Sequence, residues 1–136
     1  MKKKIFLATF LIIIAIAIWG GTTTYNKNKN RVPSEIETLA QCINDAGAKF
    51  YGAFWCPHCQ NQKKMFGKVA AKKLPYTECS TADGKSQLQV CKDAGIEGYP
   101  TWVFSDGTKL TGDQTPLTLA EKTSCPISET LKQIER

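Results

Sequence analysis

Phe54-Trp55-Cys56-Pro57-His58-Cys59 is the stretch on which the reading of this chain turns. Two cysteines separated by two residues, at the start of a predicted helix, bring their thiols within bonding reach. The first sulfur then lies at the positive end of the helix dipole, which favours Cys56 as thiolate, the form that attacks disulfides. Pro57 suits the first helical turn, where its missing N–H would have had no partner. His58, when protonated, adds a positive charge beside the thiolate. Upstream, Ala48 to Phe54 reads as a short, mostly apolar strand, and downstream Gln60 to Leu74 reads as a helix. Strand, Cys-x-x-Cys and helix in that order form the setting of a redox motif.

Other uses of such a pair fit less well. A structural zinc site takes four ligands, usually from paired clusters. Here the single histidine of the chain, His58, lies inside the motif itself. Haem attachment requires histidine directly after the second cysteine, where this chain has Gln60. Thiol–disulfide exchange is therefore the reading, with half a metal site and an inert structural disulfide as the alternatives. No metal or cofactor is called for.

The 136 residues suffice for one domain and an appendage, and the charge separates the two. Residues 1–31 hold Lys2, Lys3, Lys4, Lys27, Lys29 and Arg31 and no acidic residue, so the whole surplus of +6 belongs to them. The remainder is balanced, which argues against nucleic acid as a partner and points to a membrane instead. Lys2-Lys3-Lys4 precedes an apolar run from Ile5 to Trp19, an export signal. As a helix that run spans about 22 Å, against a hydrocarbon core of roughly 30 Å. Gly20, Gly21 and interfacial Trp19 and Tyr25 extend it, whereas Ala15-Ile16-Ala17 offers a small-x-small cleavage pattern. We read residues 1–21 as a retained membrane anchor, with a cleaved signal peptide as the alternative. Residues 22–32 form a polar tether and residues 33–136 the folded domain, outside the cytoplasm: periplasmic or at the cell surface if anchored, secreted if cut.

Within the domain, Ser34 and Glu37 fit a capping box for a helix with an Ile36, Leu39, Ala40, Ile43 stripe, closed by Gly47. Lys63, Lys64, Lys68, Lys72 and Lys73 read as the solvated face of the Cys-x-x-Cys helix. A second strand starts at Tyr76, a short helix spans Ser86 to Ala94, and Asp106-Gly107 turns a hairpin between Thr101–Phe104 and Thr108–Thr111. Thr115-Pro116 caps a further helix, and a short helix or tail ends the chain. This order gives an α/β fold with a central mixed sheet covered by helices on both faces.

Six cysteines in so short a chain suit an oxidising compartment. Besides the redox pair Cys56–Cys59, a Cys79–Cys91 bridge is the simplest account of two of the others, with a second, electron-relaying pair as its rival. Cys42 and Cys125 would then staple the ends of the domain together. Connectivity does not follow from sequence alone.

Trp55-Cys56-Pro57-His58-Cys59 with Gly98-Tyr99-Pro100-Thr101 resembles the thioredoxin superfamily. Adding Tyr51 to Gln60, Tyr76 to Cys79 and Gly95 to Trp102, the chain is similar to the thioredoxin-like domain fused to bacterial vitamin K epoxide reductase homologues. The resemblance implies a thioredoxin-like fold and a cis Pro100 facing the motif. The backbone at Tyr99 could then pair with an extended substrate, and Trp55 and Tyr99 would rim the site or else fill the core. Two departures stand out. The quinone-reducing helices of the fusion have no counterpart in these residues, and Phe50 occupies the position of the buried acid of thioredoxins. The expectation is a thiol–disulfide oxidoreductase acting on thiol or disulfide proteins outside the cytoplasm. Cys56 is the attacking and Cys59 the resolving sulfur, Pro57 and His58 tune them, and electrons pass to a separate, vitamin K epoxide reductase-like membrane partner. An extracytoplasmic metal- or substrate-binding chaperone with structural cysteines is the alternative.

Overall fold

A computed structural model describes residues 34–134. The expected anchor at 1–21 and the expected tether at 22–32 lie outside the described residues. Among the described residues no helix is long and apolar enough to cross a membrane.

The first helix, α1 (Glu35–Asp45), buries Leu39, Ala40 and Ile43 with Ile36 beside them, the apolar stripe expected at helical spacing. Its capping differs from a full capping box. The Ser34 hydroxyl donates to Glu37 Oε1 at 3.0 Å and caps no backbone N–H; the Ser34 carbonyl accepts from the N–H of Glu37 and of Thr38. Gly47 follows the helix at φ +80°, in the left-handed region where glycine carries no steric penalty.

Strand β1 (Lys49–Gly52) is shorter than the apolar run around it, ending before Ala53 and Phe54. It pairs in parallel with β2 (Tyr76–Glu78) and antiparallel with β3 (Thr101–Val103), which pairs antiparallel with β4 (Lys109–Thr111). The sheet order is β2-β1-β3-β4, a mixed sheet with the motif-bearing strand inside it. The hairpin turn is held by Asp106 Oδ1, which accepts from the N–H and hydroxyl of Thr108.

The motif helix α2 (Pro57–Ala70) starts with Cys56 as its N-cap and Pro57 in its first turn, as the motif suggests. It does not run unbroken to Leu74: Gly67, at φ +71° and ψ 168°, interrupts it. A 3-10 turn over Ala71–Lys73 follows, and Leu74 is extended ahead of Pro75 because the proline ring disfavours helical backbone there. The expected helix at 86–94 shrinks to α3 (Gln89–Asp93), since Ser86 and Gln87 pair across a loop with Thr81 and Ser80. Two helices close the fold: α4 (Pro116–Thr123), capped by Thr115, and α5 (Glu129–Ile134).

Strand alternation divides the interior. On one face Phe50 stacks on Trp102, its register partner, with ring centroids 4.8 Å apart, beneath residues of α1, α2 and α4. On the other face Tyr51 and Val103 cover a smaller cluster of Cys79, Cys91 and Ile96. The helices thus lie on both faces, but unequally, with the larger core on the side of the motif.

Disulfides close both regions. Cys42–Cys125 ties α1 to the segment after α4, and Cys79–Cys91 ties the end of β2 to α3. A bridge between residues 12 apart, as in the second, contributes about 3 kcal/mol by restricting the unfolded chain. The first, at a separation of 83, contributes about 4–5 kcal/mol on the same loop-entropy account.

Candidate active site

The turn from β1 into α2 builds the site. The Cys56 N–H bonds to the Ala53 carbonyl at 3.1 Å, and the Gln60 N–H to the Cys56 carbonyl at 3.1 Å. Cys56 Sγ therefore sits where the first amides of α2 are unpartnered, as the motif required. Pro57 occupies the first turn and is exposed. Cys56 and Cys59 are free thiols, not bonded as the other two cysteine pairs are.

The two sulfurs are unequal. Cys56 is 6% exposed and Cys59 1% exposed. Burial, reinforced by a hydrogen bond to Cys56 and by its charge, pushes the Cys59 thiol up to about 12, against the opposing influence of the Ala53 amide and Lys63. Cys59 stays protonated at neutral pH and donates to Cys56.

Opposite the motif, the Tyr99–Pro100 peptide is cis, and Pro100 is buried. The Tyr99 carbonyl oxygen lies 3.6 Å from Cys56 Sγ, so the loop faces the motif as the resemblance implied. Trp55 is 48% exposed, donates its indole N–H to Ser80 Oγ at 2.8 Å and meets the Tyr99 ring edge-on at 6.1 Å. Tyr99 is half-buried and also packs against both core clusters. Trp55 is thus rim and not core filling. Phe54, 49% exposed, joins it; the sequence placed this residue in the strand.

His58 is exposed, and its imidazole Nδ1 lies 3.5 Å from Asp113 Oδ2. Asn61 donates to the same oxygen at 2.6 Å, and Asp113 Oδ1 is buried with no hydrogen-bond partner among the described residues. A carboxylate therefore stands against the histidine charge that the motif alone suggested, in the loop after β4. Gln62, fully buried, fixes that loop: its Oε1 accepts from the Gln114 N–H at 2.8 Å and from Trp102 Nε1 at 3.2 Å. Asp113 and Gln62 were missed because neither carries a local pattern; Gln62 is conspicuous only as a polar residue at a core spacing with Cys59 and Phe66.

A second group missed by sequence reasoning lies beneath the motif. Glu78 Oε1 accepts from the backbone N–H of Phe54, Cys79 and Ser80 at 2.8–3.3 Å, while Oε2 accepts from the Tyr76 hydroxyl at 2.8 Å. The Lys63 ammonium sits over the Tyr76 ring, 3.2 Å from its centroid. Lys63 is therefore half-buried and not part of a uniformly solvated lysine face, whereas Lys64, Lys68 and Lys72 are exposed. Phe50 fills core in place of an acid, and the nearest carboxylate in the array comes from β2. Gly52 allows the close approach: a Cβ there would fall 2.7 Å from Cys59 Sγ and 2.9 Å from Tyr76 Cε2.

Cys79 and Cys91 are fully buried, which leaves a substrate thiolate no access to their sulfurs. Among the described residues no cluster of three or more His, Cys, Asp or Glu side chains is placed to hold a metal.

Residues 36–123 match the thioredoxin family model. The chain is 47% identical over 94 residues to the thiol-disulfide oxidoreductase LTO1 of Arabidopsis thaliana, covering 67% of this chain and 25% of that protein. It is 33% identical over 70 residues to a thioredoxin domain-containing protein 5 homolog of Drosophila melanogaster, covering 45% of this chain and 16% of that protein. The chain thus spans a quarter or less of the curated relatives it matches here. With the match across most of the described domain, the chain belongs to the thioredoxin family.

Proposed function

We propose that this protein oxidises thiols of proteins outside the cytoplasm through Cys56 and Cys59. The residues 1–21 tether it to the membrane, and it passes the electrons to a separate quinone-linked membrane partner of the vitamin K epoxide reductase type. The observation that carries the exchange step is the placement of Cys56 Sγ at the start of α2, 3.6 Å from the Tyr99 carbonyl and beside the exposed rings of Phe54 and Trp55. An extended segment can lie along the Tyr99 backbone with an apolar side chain on that rim.

In the oxidised protein a substrate thiolate attacks Cys56 Sγ. The Cys56–Cys59 bond breaks, and Cys59 leaves with the electron pair and takes a proton. A second substrate thiolate then displaces Cys56, so the substrate gains a disulfide and the protein holds two electrons and two protons as a dithiol. Reoxidation hands these to the partner. In the opposite direction Cys56 attacks a substrate disulfide and Cys59 resolves the mixed disulfide. Oxidation is the favoured direction because the helix start and a protonated His58 stabilise the thiolate of the reduced form, which raises the reduction potential.

The experiment is trapping. Cys59→Ser should accumulate mixed disulfides with a reduced, unfolded model protein through Cys56, and Cys56→Ser should not. Glutathione equilibration of the wild type should place the couple nearer the oxidising end of the family range, about −120 mV, than the reducing end near about −270 mV. Adducts through Cys59 alone would overturn the assignment of roles. Tight copper or zinc binding by a reduced protein that exchanges no disulfides would favour the chaperone reading.

A further inference from the structure

The buried Cys59 raises a chemical problem. It must attack a mixed disulfide as a thiolate, or leave as one, yet burial opposes its ionisation and Phe50 supplies no acid or base. The array beneath the motif answers it. Cys59 and Lys63 are four residues apart on α2, so their side chains share one helix face. Cys59 Sγ and the Tyr76 ring bracket the same Gly52, and the Lys63 ammonium rests on that ring at 3.2 Å from its centroid. Tyr76 is fixed in turn by its hydroxyl, which donates to Glu78, and Glu78 by three backbone amides.

We infer that Lys63 is the residue that stabilises the negative charge on Cys59 sulfur as it attacks or leaves, and that Tyr76 and Glu78 are positioning residues that hold the ammonium in place. The inference rests on the reading of Cys59 as the resolving sulfur. In the resolving step the Cys59 thiol gives its proton to solvent base, and its sulfur attacks Cys56 Sγ. The Cys56–Cys59 bond forms, the Cys56–substrate bond breaks, and the departing sulfur takes the electron pair and a proton. Lys63 transfers no proton: it supplies a fixed positive charge in a poorly solvated place, where an opposite charge counts for more than in water.

The charged surroundings agree. Lys63 lowers the Cys59 pKa, while burial lowers that of Lys63 and the nearby Glu78 and Cys59 raise it. Glu78 thus helps keep the ammonium charged. The other titratable groups around the pair are Cys56 on the same helix and Tyr76 on β2, the latter pushed up by burial and by its bond to Glu78. From β1 the same face presents Phe50 and Gly52. From α1, packed against α2, comes the buried side chain of Glu37, which accepts from the Ser34 hydroxyl. The loops opposite bring Tyr99, and Asp113 with His58, at the helix start.

The test is the rate of mixed-disulfide resolution against pH. The reduced full chain is mixed rapidly with oxidised glutathione, quenched in acid, and the glutathione adduct quantified by mass spectrometry. In the wild type the adduct forms on Cys56 and decays faster as pH rises. Lys63→Met should slow the decay about tenfold at pH 7 and move its inflection up by about one pH unit, the same free energy expressed twice. Lys63→Arg should restore both, since guanidinium also stacks on an aromatic face and stays charged. Should the methionine variant fail to fold, Lys63→Gln carries the same test. Decay in the uncharged variant at the wild-type rate and inflection overturns the inference. So does slowing without movement of the inflection, or an arginine variant as slow as the methionine one. A wild-type adduct that persists, or that sits on Cys59, overturns instead the reading of Cys59 on which the inference stands.

Discussion

Two cysteine pairs approach the same end of β1 from opposite faces of the sheet, and they have opposite fates. Cys59 Sγ lies against Gly52 on the side of the large core, while the Cys79 N–H bonds to the Gly52 carbonyl at 2.8 Å and its sulfur belongs to the small cluster beyond. Cys56–Cys59 is a dithiol with one sulfur at a helix start and a rim of exposed rings around it. Cys79–Cys91 is a closed bridge with no exposed sulfur. Reactivity in this protein therefore follows from access and local electrostatics, not from the number or spacing of cysteines.

The sharpest way to break that comparison is at the shared glycine. Gly52→Ala would put a methyl 2.7 Å from Cys59 Sγ, forcing either the sulfur or the Tyr76 ring to move. The expected outcome is a loss of stability of about 1–3 kcal/mol from overpacking. Insulin-reduction turnover should fall at least about tenfold, because a displacement of reacting atoms on the order of 1 Å is costly. Denaturant melts and the turnover assay check it, and near-normal values in both would show that the two pairs are not set by this contact.

Opening the buried pair should have the complementary signature. Replacing Cys79 and Cys91 together by alanine should cost about 2–3 kcal/mol in a denaturant melt and leave turnover within about twofold. If stability holds while turnover collapses, the bridge takes part in electron transfer and the contrast between the pairs is lost.

The smallest effects test the electrostatics of the open pair. His58→Pro should make the Cys56–Cys59 potential more negative, by about 30 mV for a tenfold change in the equilibrium constant. Asp113→Asn removes the opposing carboxylate, so the reduced, thiolate-bearing form gains stability and the potential should rise. That shift should be smaller, about 10–20 mV, because the histidine is exposed and its ion pair well screened. Equilibration with glutathione buffers reads both, and shifts of the same sign would contradict the arrangement.

Much of this was legible along the chain because its causes are local. Cys56-Pro57-His58-Cys59 names its own chemistry, Thr115-Pro116 caps its own helix, and Asp106-Gly107 turns its own hairpin. Resemblance added the cis Tyr99–Pro100 bond. What the sequence left open depended on where the chain goes after each local signal. Gly67 interrupts a helix that the sequence reading carries unbroken to Leu74. Ser86 and Gln87 pair across a loop instead of extending α3. The environment of Cys59 beyond its own helix neighbour Lys63 belongs to the tertiary structure: Tyr76 and Glu78 come from β2, and Gly52 from β1. No local pattern links them, and the parallel pairing of β1 with β2 brings the Tyr76 phenol and the Glu78 carboxylate to the side of the helix that carries Cys59 and Lys63. The reactive residues were determined by the sequence itself; the charge around them was decided by the fold, because electrostatic interaction follows distance in space.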